Sequence, residues 1–354
     1  MAKRIIAYIL AFLFLASAVL ASVIMGYHVQ AKALHAADLE VTSARAMCTM
    51  EASTGRVLYE KDADVQMPMA SLTKIVTAIT VLDNCGDLDT PFVVDPKAVG
   101  IEGTSIYIQK GERLSVRELL YGLMLRSGND CAMALAYHVC PSKTKEEGIA
   151  CFAELMKQTA EKAGAFNSNF KNPHGLDAEG HYTTAKDLAL ITAYAMKNPT
   201  FAEIVATKQT KISGVEYPRV LHNKNRLLFG MPECVGVKTG FTKDAGRCYV
   251  GAVHENAMTV ICVVLNCGPM FEEAAELMEK AEEQFTLTRI IENNQLIDCD
   301  NCGDDDACRC IAIEDFFYPL CSEDDVEIIC DGDEVFVKIN GETVYTCACV
   351  SIDS

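Results

Sequence analysis

Val235-Gly-Val-Lys-Thr-Gly-Phe241, Cys248-Tyr-Val-Gly-Ala-Val-His254 and Met258-Thr-Val-Ile-Cys-Val-Val-Leu265 follow one another with only short polar breaks. Each has strand length and strand composition, and the helical periodicity that precedes them stops where they begin. A tight turn at Glu255-Asn256 is expected to join the last two. Upstream, residues 69–82 carry Leu72, Ile75, Val76, Ile79 and Leu82 at helical spacing. Further helices are predicted at about 115–125, 129–139, 145–163, 184–196 and 200–206. Before them, after a polar linker over about 28–43, residues 44–51 and 56–60 alternate like two short strands around the turn Ala52-Ser53-Thr54-Gly55. After the three strands comes a charged amphipathic helix, 271–285. Strands at both ends with helices between them predict an α+β fold. Its one antiparallel sheet is closed by the two ends of the domain and covered by helices.

From about residue 290 the composition shifts and helical periods end. Residues 326–330, 334–339 and 343–350 are strand-like, and Asn340-Gly341 between the last two is a hairpin signal. The expected organisation is therefore an export or anchor segment (1–33), a main domain (34–286) and a small β-rich domain (287–354). With 354 residues, the chain is long enough for both cores.

The formal net charge of -18 argues against nucleic acid as a partner, because that function needs a basic footprint. An anionic substrate would have to be held by a few local cations. Lys3 and Arg4 precede an uncharged run, residues 5–25, which reads as an export signal long enough to span a bilayer. The small-residue patterns Val19-Leu20-Ala21 and Val29-Gln30-Ala31 keep cleavage open as the alternative to a retained anchor.

The chain has 17 cysteines, an odd number, and an exported chain can form disulfides. Cys131, Cys248 and Cys262 lie inside apolar patterns, where a free thiol serves as a small hydrophobe. Cys299-x2-Cys302-x5-Cys308-x-Cys310 could form two disulfides or a metal site, but its spacing fits no common zinc pattern, and no metal or organic cofactor is expected.

Three short motifs occur in order: Ser71-Leu72-Thr73-Lys74, Ser127-Gly128-Asn129 and Lys238-Thr239-Gly240. The S-x-x-K spacing recurs at Ser142…Lys145 and Ser168…Lys171 in turn-like stretches, so alone it means little; the ordered triple is specific. On a helix, residues i and i+3 share a face with Cβ atoms roughly 5–6 Å apart, so the Lys74 amine can reach the Ser71 hydroxyl. A serine needs an adjacent base to act as a nucleophile. A lysine is such a base only with a lowered pKa, from burial or from a neighbouring cation such as Lys238. Standing alone, the motif reads rather as an N-cap serine with a solvated lysine. Ser127 and Asn129 sit in a polar turn between two apolar helices, able to relay a proton and to hold Lys74 or a substrate amide. Gly240 within a strand marks close approach of a ligand or another backbone. Lys238 and Thr239 beside it can bind a carboxylate.

The ordered set resembles the penicillin-binding proteins and class A β-lactamases. The flanks resemble the low-molecular-mass D-alanyl-D-alanine carboxypeptidases, peptidase family S11, over about residues 42–286. The matching stretches are Met69-Ala-Ser-Leu-Thr-Lys74, Ser127-Gly-Asn-Asp130, Asn172-Pro-His-Gly-Leu176, Gly180-His-Tyr-Thr-Thr-Ala185 with Asp187, Asn223-x-Asn225, and Gly236-Val-Lys-Thr-Gly-Phe-Thr242. The resemblance implies a transpeptidase-like fold, Ser71 as nucleophile, Lys74 as base and Ser127 as proton relay. It places the substrate on Asn129, Lys238, Thr239, Gly240 and Phe241, with the backbone N–H groups of Ser71 and Phe241 as the oxyanion hole. Peptidoglycan stem peptides ending in D-Ala-D-Ala are the implied substrate, and β-lactams the implied acylating inhibitors. The implied location is the extracytoplasmic face of the membrane.

Three features depart from the pattern. No E-x-x-L-N stretch is present, which argues against β-lactamase action. Residues 267–273 carry no Arg near the expected carboxylate site. The chain ends at Ser354 in strand-like sequence rather than an amphipathic helix, which favours residues 5–25 as the anchor. A D,D-endopeptidase and a non-catalytic penicillin-binding scaffold are the alternative functions.

Overall fold

The computed structural model describes residues 34–35, 42–213, 216–298, 309–331 and 334–352. The chain divides into two compact units, one of them Ala33–Thr286 and the other taking in Leu287–Ser354.

The larger unit is built on a six-stranded sheet. Strands β1 (Ala46–Glu51) and β2 (Val57–Lys61) come from the start of the unit; β3 (Cys234–Thr242), β4 (Gly246–Glu255) and β5 (Met258–Leu265) come from its end. The order β2-β1-β5-β4-β3 joins the two ends of the domain through the antiparallel β5–β1 pair, with Val263 opposite Cys48. This is the closure expected from the strand–helix–strand order. One correction concerns the linker: Leu34–His35 forms a two-residue strand that pairs parallel with β2, so the sheet is not wholly antiparallel. A second correction moves the β4–β5 turn by one residue. Glu255 still pairs with Met258, and the loop is Asn256-Ala257, both at positive φ (50° and 62°). That is the two-residue hairpin whose twist matches its flanking strands.

Helices α1 (Thr73–Asn84), α2 (Val116–Arg126), α3 (Asn129–Val139), α4 (Lys145–Lys162), α5 (Ala185–Met196) and α6 (Pro199–Ala206) lie between β2 and β3 in the chain, and α7 (Met270–Gln284) follows β5 and packs on β4 and β5. Local chemistry sets several of their starts. Ser115 with Glu118 and Thr144 with Glu147 form capping boxes, while the Asn198 side chain caps α6 ahead of Pro199. Helix α1 is apolar on most sides and every residue from Thr73 to Val81 is buried, so it runs through the core rather than over it. A disulfide joins Cys140 to Cys151. Cys131, Cys248 and Cys262 are buried as the apolar pattern predicts.

Among its described residues the smaller unit is all β. It holds β6 (Thr286–Ile291), β7 (Leu296–Asp298), β8 (Arg309–Ala312), β9 (Phe316–Leu320), β10 (Val326–Asp331), β11 (Glu334–Ile339) and β12 (Glu342–Ile352). The β11–β12 turn is Asn340-Gly341, with both residues at positive φ. Cys299, Cys302 and Cys308 lie outside the described residues, as does the 5–25 run. Among the described residues no helix is long and apolar enough to cross a membrane.

Candidate active site

The three motifs converge. Ser71 lies in a 3-10 turn, Ala70–Leu72, that leads directly into α1, and it is half-buried at the head of the helix. Lys74 follows on the first turn of α1 and is completely buried. Its Nζ donates to Ser71 Oγ (3.0 Å), to Asn129 Oδ1 (2.7 Å) and to the carbonyl of His174. The i, i+3 spacing thus does what the sequence suggested. Burial lowers the Lys74 pKa from 10.5 to about 7. Lys224 adds to this lowering, and Lys238, the neighbour that the sequence suggested, is close enough to Lys74 for the two amines to repel each other. Lys238 is buried as deeply and held well below the usual lysine range, first by burial and then by Lys74 and Lys224. Two ammonium groups in so small a dry volume do not coexist readily, so these amines titrate as a coupled set.

Ser127 ends α2 in the left-handed conformation (φ 63°, ψ 37°) and is buried. A non-glycine residue held there carries backbone strain of a kind that collects at functional sites. The next turn starts α3 with Asn129. Its Nδ2 donates to Glu102 O (2.7 Å) and its backbone N–H to Thr104 O (2.7 Å), which fixes the side chain so that Oδ1 faces Lys74.

Lys238, Thr239 and Gly240 lie on β3, the strand at the end of the sheet. Lys238 Nζ donates to the Thr239 carbonyl (2.9 Å). Gly240 sits against the Ser71 turn. A Cβ there would stand 3.1 Å from the Met69 carbonyl oxygen and 3.2 Å from the Ser71 nitrogen. That close approach explains the glycine within a strand. Phe241, next along, is 66% exposed.

Several residues to which the sequence reading gave no role hold this arrangement together. Asn172 Oδ1 accepts from the backbone N–H groups of His174 and Gly175, while its Nδ2 donates to Leu176 O. This turn presents the His174 carbonyl to Lys74. Gly175 (φ +89°) is required, since a Cβ would fall 1.9 Å from the Ala70 carbonyl oxygen. His181 Nδ1 accepts from Lys171 N–H, so its Nε2 carries the proton donated to Thr73 Oγ1, which in turn donates to Ala70 O. Burial keeps both rings neutral, lowering His174 to about 3 and His181 to about 4. The Asp130 carboxylate accepts from Ser105 Oγ and from the N–H groups of Ile106 and Ile108, pinning the loop beside Asn129. The matching stretches around Asn172 and His181 were the available signal; what they hold is set by contacts far apart in sequence.

Residues 267–273 lack an arginine, yet two arginines from elsewhere stand over them. Arg226 and Arg247 line a surface hollow of about 490 Å³ with Gly268, Pro269 and Phe271, and Arg247 donates to the Gly268 carbonyl (3.3 Å). Neither Ser71 nor Lys74 lines that hollow.

The architecture is shared with known proteins. Alignment with D-alanyl-D-alanine carboxypeptidase DacF of Bacillus subtilis (strain 168) runs over 262 residues at 29% identity. It covers 72% of this chain and 66% of that protein, so the chain spans slightly less than two thirds of the relative's length. The crystal structure of the Streptomyces K15 DD-transpeptidase matches with a TM-score of 0.64 at 32% identity, covering 68% of this chain and 97% of that one. D-alanyl-D-alanine carboxypeptidase DacD from Francisella tularensis matches in fold with a TM-score of 0.73, over 93% of this chain and 97% of that one at 23% identity. The fold is therefore that of the DD-peptidases and transpeptidases, an antiparallel sheet with helices and a β-rich C-terminal region. The family profile for D-alanyl-D-alanine carboxypeptidases, peptidase S11, matches residues 30–268, and the chain belongs to that family.

Proposed function

We propose that this chain is a serine D-Ala-D-Ala carboxypeptidase that removes the terminal D-alanine from peptidoglycan stem peptides through an acyl-enzyme on Ser71. One observation carries the reading: the Lys74 amine lies 3.0 Å from the Ser71 hydroxyl with its pKa brought to about 7. A neutral amine at that distance is a competent general base near neutral pH.

Lys74 takes the Ser71 proton as Oγ attacks the carbonyl between the two D-alanines. The N–H groups of Ser71 and Phe241 receive the oxyanion, where donors fixed in advance stabilise developing charge. Ser127 delivers a proton to the departing D-alanine amine. Asn129 holds Lys74 and the substrate amide in register. The terminal carboxylate sits on Lys238 and Thr239. Its charge offsets the burial of Lys238 and favours the ammonium form there, and that cation in turn disfavours protonation of Lys74. Water then hydrolyses the ester. A β-lactam presents a similar carboxylate and acyl carbonyl and acylates the same serine.

The 34–286 domain performs the chemistry, outside the cytoplasm. Residues 5–25 hold it to the extracytoplasmic face of the membrane, and the 287–354 domain acts as a spacer or partner-binding module. The likeness to a protein described as a DD-transpeptidase supports a second reading, in which an amine rather than water resolves the acyl-enzyme. The test is to incubate the purified protein with an acyl-D-Ala-D-Ala peptide, with and without a glycine-ended acceptor. Free D-alanine with a shortened peptide supports hydrolysis; a peptide-acceptor adduct supports transfer. No D-alanine from folded protein, and no penicillin adduct on Ser71, would overturn both.

A further inference from the structure

Three thiols remote in sequence from the catalytic motifs converge inside the C-terminal unit. Cys310 is on β8, Cys330 on β10 and Cys349 on β12. Their Sγ atoms all lie within 4.8 Å of one another, and the residues are 0%, 0% and 8% exposed. Cys310 Sγ and Cys330 Sγ approach to 3.0 Å. The sheet order β7-β8-β12-β11-β10 places two strands between β8 and β10. In a flat sheet their separation would be roughly 14 Å, three strand spacings. The sheet therefore curls until β8 and β10 face each other across the interior, and β12 adds a third sulfur to the same point.

A single buried cysteine is an ordinary small hydrophobe. Three meeting from three strands are different, especially in this core. Among the described residues its buried cluster has eleven members, four of them cysteines. So small an apolar core is of the kind that commonly depends on a staple for independent stability.

We propose that Cys310, Cys330 and Cys349 bind one soft divalent cation of the zinc class, as a structural site of the C-terminal domain. All-sulfur donors select such metals. Zn–S bonds of about 2.3 Å in tetrahedral geometry set neighbouring sulfurs about 3.8 Å apart, which small side-chain adjustments reach from the observed arrangement. Each thiol releases its proton to solvent as its sulfur binds the metal, and no electron is transferred. The fourth position falls to a further donor of the chain or to water. The competing chemistry is oxidation of Cys310 and Cys330 to a disulfide, which an oxidising compartment favours. It draws on two of the converging sulfurs, whereas a metal draws all three into one site. The stretch 299–310 hid this site because its donors are gathered by sheet curvature rather than by spacing.

The full-length chain, isolated from the cell envelope in detergent without reductant or added chelator, is analysed for metal content and alkylated under native conditions. Expected are about one zinc per chain, three thiols that react only after a strong chelator is added, and recovery of the metal on adding Zn(II). Cys310→Ser, Cys330→Ser and Cys349→Ser each lose the metal, while Cys85→Ser retains it. Penicillin labelling of Ser71, in the other unit, verifies that each variant keeps its main domain. If the serine variants fail to fold, chelated wild-type protein titrated with Co(II) decides by thiolate charge-transfer absorption at one ion per chain. Absence of metal from the wild type, equal metal in the serine variants, or a Cys310–Cys330 disulfide in the peptide map would each overturn the proposal.

Discussion

Measuring penicillin acylation from about pH 5 to about pH 9 asks whether Lys74 is the base. Its pKa falls from 10.5 to about 7, chiefly through burial. At about pH 7 roughly half of the amine is neutral, against well under 0.1% for an unshifted lysine, so burial raises the reactive fraction roughly a thousandfold. Below about pH 6 the neutral fraction falls about tenfold per pH unit, equivalent to about 1.4 kcal/mol of barrier each time. The second-order rate with a fluorescent penicillin should therefore be level above about pH 8 and fall with unit slope on the acid side. Circular dichroism at each pH verifies the fold. Lys224 adds to the lowering, so Lys224→Gln should move the inflection to higher pH. The same depression has a stability consequence: as for a paired acid, stability rises with pH, but here a cost is relieved rather than a gain acquired. Unfolded Lys74 binds its proton more tightly than folded Lys74, so the native state carries the full cost below about pH 7. That cost is relieved as pH rises from about 7 towards 10.5, and the urea midpoint should drift upward across the window. A flat acylation profile, an inflection near that of free lysine, or an unimpaired Lys74→Ala enzyme would refute the reasoning.

Asn129→Ala removes the acceptor at 2.7 Å from Lys74 and the donor to Glu102. A buried partner left unsatisfied costs about 1–3 kcal/mol, so acylation should slow roughly tenfold to a hundredfold, read as the second-order rate with penicillin. Gly240→Ala and Gly175→Ala should separate function from folding. The first presses on the Ser71 turn at 3.1–3.2 Å and should depress acylation in a soluble protein; the second overlaps the Ala70 carbonyl at 1.9 Å and should lower the melting temperature or abolish expression. Arg219→Ala removes the bidentate partner of the buried Glu112 carboxylate (2.6 and 2.8 Å) along with the donor to Ile106 O. Breaking such a pair costs about 3–5 kcal/mol, which a urea titration resolves.

The strand triplet, the helices and the closure of the sheet were legible because periodicity is local and each run was long. The hairpin was displaced by one residue because Asn256-Ala257 lacks the glycine that usually marks a loop requiring two positive φ values. The motif residues were legible, but the cause of the Lys74 shift was not. Burial of α1 from Thr73 to Val81 is a property of the packed domain, and no residue in Ser71-Leu72-Thr73-Lys74 encodes it. The His174 carbonyl, the Asp130 loop clamp and the Cys310–Cys330–Cys349 convergence are contacts between distant segments, invisible to any reading of spacing.

The site's instability and its proposed activity have one origin. Two lysines are dehydrated together, Ser127 holds a left-handed backbone, and the Ser71 turn is wedged between Gly175 and Gly240 with Ala70 at φ 50°. Each feature disfavours folding, and each is held by rigid surroundings: the central helix, the Asn172 turn and the sheet closed by β5 on β1. Burial that disfavours an ammonium is the same burial that supplies a neutral amine beside a serine hydroxyl. Were the pocket loosened to admit water, Lys74 would regain its charge and the fold would gain stability while the base was lost. The acid limb of the acylation profile reports the folded pKa of Lys74, and the upward drift of stability with pH carries the same depression together with those of Lys238 and Lys224, so a variant that raises the Lys74 inflection should also flatten the drift.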